Sequence, residues 1–240
     1  MTETDWLRYT SRPAAMLRQV RNKAPARKLR LIGCACCRIV WEHMPEFAAT
    51  AVSTVERYHD EAASENEYEA AQRRLWHTFT VTWGQGDPGT AEFGGVAAVY
   101  AVMGSEAVEG LEQCVEWVRA TASRALPDGE KRAPLARTRR QICDLFREII
   151  GNPFRPWKVV PDFLDGGGVL QPDGTTVKLT DTARQLAEGI RADQAFDRLP
   201  ILADALEEAG VTDAELLAHC RRDGGHVRGC WALDVVLGKV

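Results

Sequence analysis

The stretch PARKLRLIGCACCRIVWEHM, residues 25–44, decides the fold class. One stripe of this stretch recurs at steps of three and four positions, and it consists of Leu29, Ile32, Cys36, Ile39, Val40 and His43. Such a period places the stripe on one face of an α-helix, because strand residues alternate with a period of two. Pro45 cannot continue the helix. The stretch therefore predicts a long amphipathic helix that buries one face.

The same helical period continues through most of the chain and predicts a mainly α fold. Further helices are predicted over residues 14–21, 47–62, 64–83, 90–103, 105–125, 131–150, from about 182 onward, 196–209, 213–220 and 226–237. Ser64 and Glu67 have the spacing of a capping box, in which a Ser or Thr N-cap is followed three positions later by Glu. Thr212 and Glu215 repeat this spacing.

Residues 151–180 interrupt the helices. Asn152-Pro153-Phe154-Arg155-Pro156 cannot continue a helix. Pro172-Asp173-Gly174 is typical of a turn, so a small hairpin is predicted over 169–177, within an irregular segment near 165–180. We expect an N-terminal helical region over 1–150, a linker or exposed loop over 151–180, and C-terminal helices over 181–240. The helical regions are expected to pack together as one compact, mainly α domain.

Composition is that of a globular protein. The 240 residues are 45% hydrophobic and 27% charged, which excludes collagen-like and low-complexity chains. No run of eighteen apolar residues is present, so no membrane span and no membrane partner are expected. The first residues lack the apolar segment of a secretory signal, and the seven cysteines are an odd number. These features predict a cytoplasmic protein with reduced thiols.

Histidines and cysteines crowd near the C-terminus and suggest a zinc site. Zinc prefers four nitrogen, sulfur or oxygen ligands in a tetrahedron. If residues 226–237 are helical, His226 and Cys230 lie one turn apart on the same face, and Cys220 or His219 ends the preceding helix. A thiolate from the N-terminal helix would complete the predicted set of Cys36, Cys220, His226 and Cys230.

Two other interpretations of the cysteines remain open. Cysteine is among the residue types most often buried, so these thiols also fit as core packing. A reactive thiol is the third interpretation, and Cys37 beside Arg38 is its candidate because a neighbouring cation lowers a thiol pKa. The chain contains no CxxC pair, which would be the specific signal for a metal site.

Basic residues cluster twice, although the formal net charge is −4. This overall charge excludes a whole-molecule attraction to nucleic acid or anionic lipid. A local nucleic-acid-binding face is still an alternative to ordinary solvated helix faces. Its candidates are Arg18, Arg21, Arg27, Lys28, Arg30, Arg132, Arg137, Arg139 and Arg140.

The last third of the chain resembles a single HEAT-type repeat. The match consists of the apolar helix Leu199–Leu206, then Val227-Arg228 and the ending Leu237-Gly238. In that family an apolar first helix packs against a second helix that opens with Val-Arg. The resemblance implies a HEAT-like helical hairpin, with a short helix over 213–221 inserted into it.

Two groups of motifs resemble an uncharacterised paralogous family of planctomycete bacterial proteins. The first is Arg27–Leu31 leading into Cys34–Arg38. The second is Ala195–Pro200 leading to His219-Cys220-Arg221 and His226–Trp231. The resemblance implies a bacterial, cytoplasmic protein and supplies no catalytic residue.

No specific catalytic motif occurs, since the chain lacks a Gly-x-Ser-x-Gly elbow and a phosphate-binding glycine loop. The sequence therefore favours a non-enzymatic protein–protein interaction, scaffold or accessory module of a bacterial complex. The alternatives are a nucleic-acid-associated accessory protein and a zinc- or thiol-dependent protein built on the Cys/His cluster. Zinc is the only cofactor that the residues suggest. Tryptophans such as Trp76 are expected in the core, with an aromatic binding groove as the alternative.

Overall fold

The computed structural model confirms a mainly helical fold with one small sheet. It describes residues 1–83, 87, 89–104, 106–125, 132–160 and 168–239. The chain forms two compact units, Met1–Arg147 and Glu148–Val240. None of the helices in the described part of the chain is long and apolar enough to cross a membrane.

The first unit is built from helices. They are α1 (Glu3–Arg8), α2 (Pro13–Val20), α3 (Ala26–Ile39), α4 (Glu46–His59), α5 (Glu65–Thr78), α6 (Ala91–Met103), α7 (Ala107–Arg124) and α8 (Arg132–Ile150), whose last three residues belong to the second unit. The capping box at the start of α5 is confirmed, because Ser64 Oγ accepts from the Glu67 amide at 3.3 Å and Glu67 Oε2 accepts from the Ser64 amide at 2.8 Å. Helix α1 was not predicted, although Thr2 and Asp5 form a capping box of the same kind.

Helix α3 is the centre of the first unit, where it packs against α4, α6 and α7. The sequence predicted one buried face, but every residue from Lys28 to Cys37 is buried. Helices α4, α6 and α7 pack around α3 and bury several of its faces. The period of the sequence indicates only a single apolar stripe, so it does not predict this number of neighbours. The guanidinium of Arg30 donates to the carbonyl oxygens of Val102 and Gly104 at the end of α6. These bonds satisfy carbonyls that the helix end leaves without an intrahelical partner.

Glycines allow α6 and α7 to approach each other closely. A Cβ atom added at Gly110 would overlap the carbonyl oxygen of Ala101 in α6. A Cβ atom at Gly33 of α3 would come 2.6 Å from a methyl group of Val102. The helix contacts in this unit therefore depend on the absence of these side chains.

Replacing Gly110 with Ala should lower the free energy of unfolding by about 2 kcal/mol, because α7 must move away from α6. The matched control is Gly189→Ala inside α9 (Asp181–Asp193), where the added methyl meets no atom within 4 Å. This control should raise the free energy of unfolding by about 0.5–1 kcal/mol through its helix propensity. Urea unfolding followed by circular dichroism measures both. Equal effects would contradict the close contact of α6 and α7.

The second unit begins with a three-stranded antiparallel sheet. Its strands are β1 (Lys158–Val160), β2 (Gly168–Leu170) and β3 (Thr176–Lys178), in the order β1-β2-β3. The predicted hairpin is confirmed by the pairing of Val169 with Val177, and Gly174 adopts φ +92° in its turn. Strand β1 was not predicted. The described part of 151–180 is not a linker, since Trp157, Val169 and Val177 belong to the hydrophobic core of this unit.

Further helices complete the described part of the second unit. They are α9 (Asp181–Asp193), α10 (Leu199–Glu208), α11 (Ala214–Cys220) and α12 (Trp231–Val236). Helices α10 and α12 each pack against α9 and α11. The N-cap of α11 is Asp213, whose carboxylate accepts from the Leu216 amide at 2.9 Å, so the capping box predicted at Thr212 is wrong.

The prediction of a helix over 226–237 is also wrong for residues 226–230, because α12 begins only at Trp231. Gly224, Gly225 and Gly229 have φ values of +68°, +76° and +82°. Such backbone is left-handed and interrupts a right-handed helix. Val227 and Arg228 therefore lie before α12. The HEAT resemblance implied a hairpin between α10 and a second helix that opens with Val-Arg. The second helix does not open with these residues.

Candidate metal centre

Among the described residues, four side chains of the second unit place one ligand atom each within 4.8 Å of all the others. Glu148 lies near the end of α8, His219 lies in the last turn of α11, His226 lies in the loop over 221–230, and Cys230 is the N-cap of α12. These residues therefore converge from four places in the chain. The group combines one carboxylate, two imidazoles and one thiol.

Glycines in two places allow this convergence. In the loop, Gly224 and Gly225 turn the chain so that His226 reaches Glu148. After α8, Gly151 has φ +72°, which is typical of the residue that ends a helix. A Cβ atom at Gly151 would come 2.9 Å from the ring of Trp231, so only glycine permits this approach. Trp231 follows Cys230 directly, so the packing of its ring against Gly151 also holds the backbone of Cys230 in place.

The separations between the ligand atoms suit a metal ion. His226 Nδ1 lies 3.1 Å from Glu148 Oε1 and 3.9 Å from Cys230 Sγ. His219 Nε2 lies 3.2 Å from Cys230 Sγ and 3.4 Å from Glu148 Oε2. Zinc bonds of about 2.0–2.3 Å give a tetrahedron with edges of about 3.3–3.7 Å. These four separations are close to the edges of such a tetrahedron.

The group is shielded from water. The side chains of Glu148 and His226 are 2% exposed and that of His219 is 9% exposed, while Cys230 is fully buried. Burial by itself raises the pKa of Glu148. The hydrogen bonds that its carboxylate makes with His219 and His226 outweigh burial and lower the pKa of Glu148 to about 2. The carboxylate is therefore ionised at neutral pH.

The thiol of Cys230 is protonated at neutral pH, unlike the carboxylate of Glu148. Burial raises its pKa well above the usual range, and the negative charge of Glu148 raises it further. Without a metal ion the sulfur therefore keeps its proton at neutral pH. A bound metal would hold the thiolate instead, because metal coordination deprotonates a thiol.

Arg222 closes the outer side of the group. Its guanidinium is 48% exposed and donates to Glu148 Oε2. Without a metal, the buried carboxylate is thus balanced by Arg222 and the two imidazoles. The same network fastens the loop over 221–230 to the end of α8, because all three of these donors follow α11 or lie in its last turn.

The outer nitrogens of the two imidazoles have different partners. His226 Nε2 lies 3.2 Å from the carbonyl oxygen of Arg222, which only accepts a hydrogen bond. His219 Nδ1 accepts from the indole Nε1 of Trp231 at 3.0 Å. The ring of His219 also lies 5.0 Å from that of Trp231 and 5.0 Å from that of His226.

The structure brings together only part of the metal set predicted from the sequence. His226 and Cys230 meet, although they do so through a loop and not along a helix. Cys220 is buried with its pKa raised to about 12, and it lies outside the group of four. Cys36 is buried in α3 of the first unit and is not a member either.

Glu148 and His219 take part where the sequence predicted two further thiols, Cys36 and Cys220. The available signal for Glu148 was its place in α8 next to Ile149, which is fully buried. A carboxylate on that side of a helix is costly to bury unless it has a partner. His219 was noted in the sequence beside Cys220, but it was not included in the predicted ligand set.

The remaining thiols are packed in protein interiors. All seven cysteines are free and buried. Cys37, the candidate for a reactive thiol, has its sulfur 3.7 Å from that of Cys114, and the guanidinium of Arg38 pairs with Glu56 at 2.6 Å. Burial raises the pKa of Cys34 and Cys36, so neither is activated as a nucleophile.

The proposed basic face is divided by burial. Arg18, Arg21, Arg137 and Arg140 are exposed, and Arg139 is half-buried. Lys28 and Arg30 are buried, so they cannot line an exposed face. Arg27 donates to Asp60 and to the carbonyl oxygen of His59. The side chain of Arg132 lies outside the described residues.

Comparison of the chain with protein-family models, with curated proteins and with solved structures found no significant match. The resemblances to a planctomycete family and to a HEAT-type repeat therefore stay predictions.

Replacing Glu148 with Ala in metal-free protein should lower the free energy of unfolding by about 3 kcal/mol, since it removes the shared acceptor of a buried charge network. The control is Asp144→Ala one turn earlier in α8, where an exposed carboxylate pairs with Arg147. This control should change stability by at most about 0.5–1 kcal/mol. Urea unfolding in the presence of a chelator measures both, and equal losses would contradict the network.

Proposed function

We propose that the second unit binds one zinc ion through the group of Glu148, His226 and Cys230, with His219 beside them. The ion would stabilise the fold. One observation carries the proposal: His226 directs Nδ1 toward Glu148 Oε1 and Cys230 Sγ, while a backbone carbonyl holds its other nitrogen.

This orientation supports a cation between the ring and the carboxylate. Because Nε2 of His226 faces an acceptor, it carries a hydrogen. Nδ1 of a neutral ring is then a lone pair that faces a carboxylate oxygen at 3.1 Å. Two such electron-rich atoms repel each other unless a proton or a metal ion lies between them. A ligating histidine characteristically donates its outer N–H to a carbonyl or carboxylate, and His226 has this arrangement.

The donor types favour zinc over other biological cations. Imidazole and thiolate are ligands of zinc, whereas magnesium and calcium require mostly oxygen ligands. A structural role is supported by burial, because all four side chains are at most 9% exposed. The ion would join α8, the loop over 221–230 and the start of α12, which makes the loop part of the folded core.

Zinc should bind the metal-free full chain at one ion per chain and raise its melting temperature, because an ion that binds only the folded state stabilises it. At a free concentration about a thousand times the dissociation constant, the gain is about 4 kcal/mol. Native mass spectrometry gives the stoichiometry and thermal unfolding gives the stabilisation. Magnesium at the same concentration should produce no shift.

Two buried cysteines provide matched variants for this experiment. Cys230→Ala should weaken zinc binding at least about 100-fold, because it removes a ligand. Cys220→Ala removes a buried thiol outside the group and should retain one zinc per chain. A folded wild-type protein that takes up no zinc would overturn the proposal. Equal loss of zinc in the two variants would overturn the assignment of residues.

We propose as a second function that the first unit binds an amphipathic helix of a partner protein. The supporting observation is a groove of about 500 Å³ lined by α5 and α6. Trp76 is 54% exposed in this groove and its ring lies 5.4 Å from that of Tyr100, which stacks on Phe79 at 5.3 Å. A groove lined by two helices and exposed aromatic rings suits the apolar face of a third helix. Arg73 at its edge is 69% exposed and pairs with Glu69 one turn earlier in α5 at 3.1 Å.

The partner should be captured by the wild-type chain and by Trp41→Ser, but not by Trp76→Ser. Trp41 is a suitable control because it is 36% exposed and lies under the Arg38 guanidinium, away from the residues that line the groove. Loss of capture should exceed tenfold, since an exposed aromatic anchor contributes about 2 kcal/mol. Equal capture by both variants would contradict the proposal. Salt-sensitive quenching of Trp76 by an oligothymidylate would assign the groove to single-stranded nucleic acid instead.

A further inference from the structure

The hydrogen atoms on the two imidazoles of the candidate metal centre can be placed from their partners. The indole Nε1 of Trp231 only donates, so Nδ1 of His219, which lies 3.0 Å away, must accept. A neutral His219 therefore carries its hydrogen on Nε2. That hydrogen points toward Cys230 Sγ at 3.2 Å and Glu148 Oε2 at 3.4 Å.

The two histidines are thus prepared for different tasks. With a metal bound, His226 can present the lone pair of Nδ1 to the centre, because its outer nitrogen already donates to the carbonyl of Arg222. His219 presents an N–H to the centre because its outer nitrogen accepts from Trp231. If His219 ligated a metal through Nε2 as a neutral ring, its hydrogen would move to Nδ1. Two donors would then face each other at 3.0 Å in a buried place, which costs the hydrogen bond and desolvation of both.

We propose that zinc in this centre has three protein ligands, Glu148, His226 and Cys230, and that its fourth position takes water or a small anion. This inference rests on the zinc binding proposed above. His219 is a positioning residue that donates its Nε2 hydrogen to the Cys230 thiolate and the Glu148 carboxylate. Three protein ligands with an exchangeable fourth position are a recognised zinc arrangement, distinct from the closed set of four.

Charge favours an anion at the fourth position. The carboxylate of Glu148 and the thiolate of Cys230 neutralise the two positive charges of zinc. The Arg222 guanidinium, which contacts Glu148 Oε2, adds one positive charge at the half-exposed edge of the centre. Hydroxide, azide and cyanate are small anions with one negative charge.

The coordination can be counted by X-ray absorption at the zinc edge of the loaded full chain. We expect one sulfur and one imidazole in the wild type. His219→Gln should give the same ligand count, with zinc affinity reduced by no more than about 100-fold, as expected for a group that acts through a ligand. His226→Gln is the matched variant and should lose the imidazole signature. Two imidazoles in the wild type, reduced to one in His219→Gln, would overturn the inference.

The exchangeable position is tested with cobalt, whose visible absorption reports the ligands around it. Adding sodium azide to the cobalt-substituted protein should shift the visible bands along a saturable curve. Arg222→Gln should weaken azide binding by about tenfold because it removes the positive charge at the edge of the centre. Bands that do not respond to azide would overturn the open position. Failure to take up zinc or cobalt would overturn the proposed function, whereas uptake with two imidazoles overturns only this inference.

Discussion

The burial of the Glu148 carboxylate is the constraint on which the C-terminal end of the second unit depends. Moving such a charge out of water costs on the order of several kcal/mol unless other groups compensate it. The compensating groups, Arg222, His219 and His226, lie more than seventy positions later in the chain. The loop over 221–230 must therefore return to α8, and left-handed glycines such as Gly224 and Gly225 make that path possible. The path of this loop and the convergence of the candidate ligands both depend on the compensation of one buried charge.

Some local signals in the sequence predicted local structure correctly, whereas the capping box expected at Thr212 is not formed. The capping box at Ser64 and the Pro-Asp-Gly turn of the hairpin depend on residues within three or four positions, and both are confirmed. The environment of α3 could not be predicted in this way. Its period indicates one apolar face, whereas the three helices packed around it also bury Lys28 and Arg30. The number of neighbours around a helix is a property of the tertiary fold and leaves no mark on its period.

The candidate centre was predictable only where its members lie close in sequence. The spacing of four between His226 and Cys230 suggested a ligand pair, and the pair is formed, although by a loop with three left-handed glycines. The contribution of Glu148 depends on a contact across 78 positions, for which a single sequence contains no signal beyond a carboxylate on an apolar helix face. The sequence suggested Cys220 as a ligand instead. Cys220 and His219 are adjacent, and the sequence alone does not show which of their two side chains faces the centre.

Burial of a cysteine and metal binding by that cysteine were opposed interpretations of the sequence, yet Cys230 satisfies the requirements of both. It belongs to the hydrophobic core of the second unit and is fully buried, as a packing residue would be. What separates it from Cys220 is the presence of two imidazoles and a carboxylate around its sulfur. Burial and Glu148 both oppose a free thiolate at this position, so only a cation in the same space can stabilise one. Burial and the charge of Glu148 therefore make Cys230 inert as a nucleophile, yet they still allow it to bind a metal ion. The thiol loses its proton only when a metal replaces that proton.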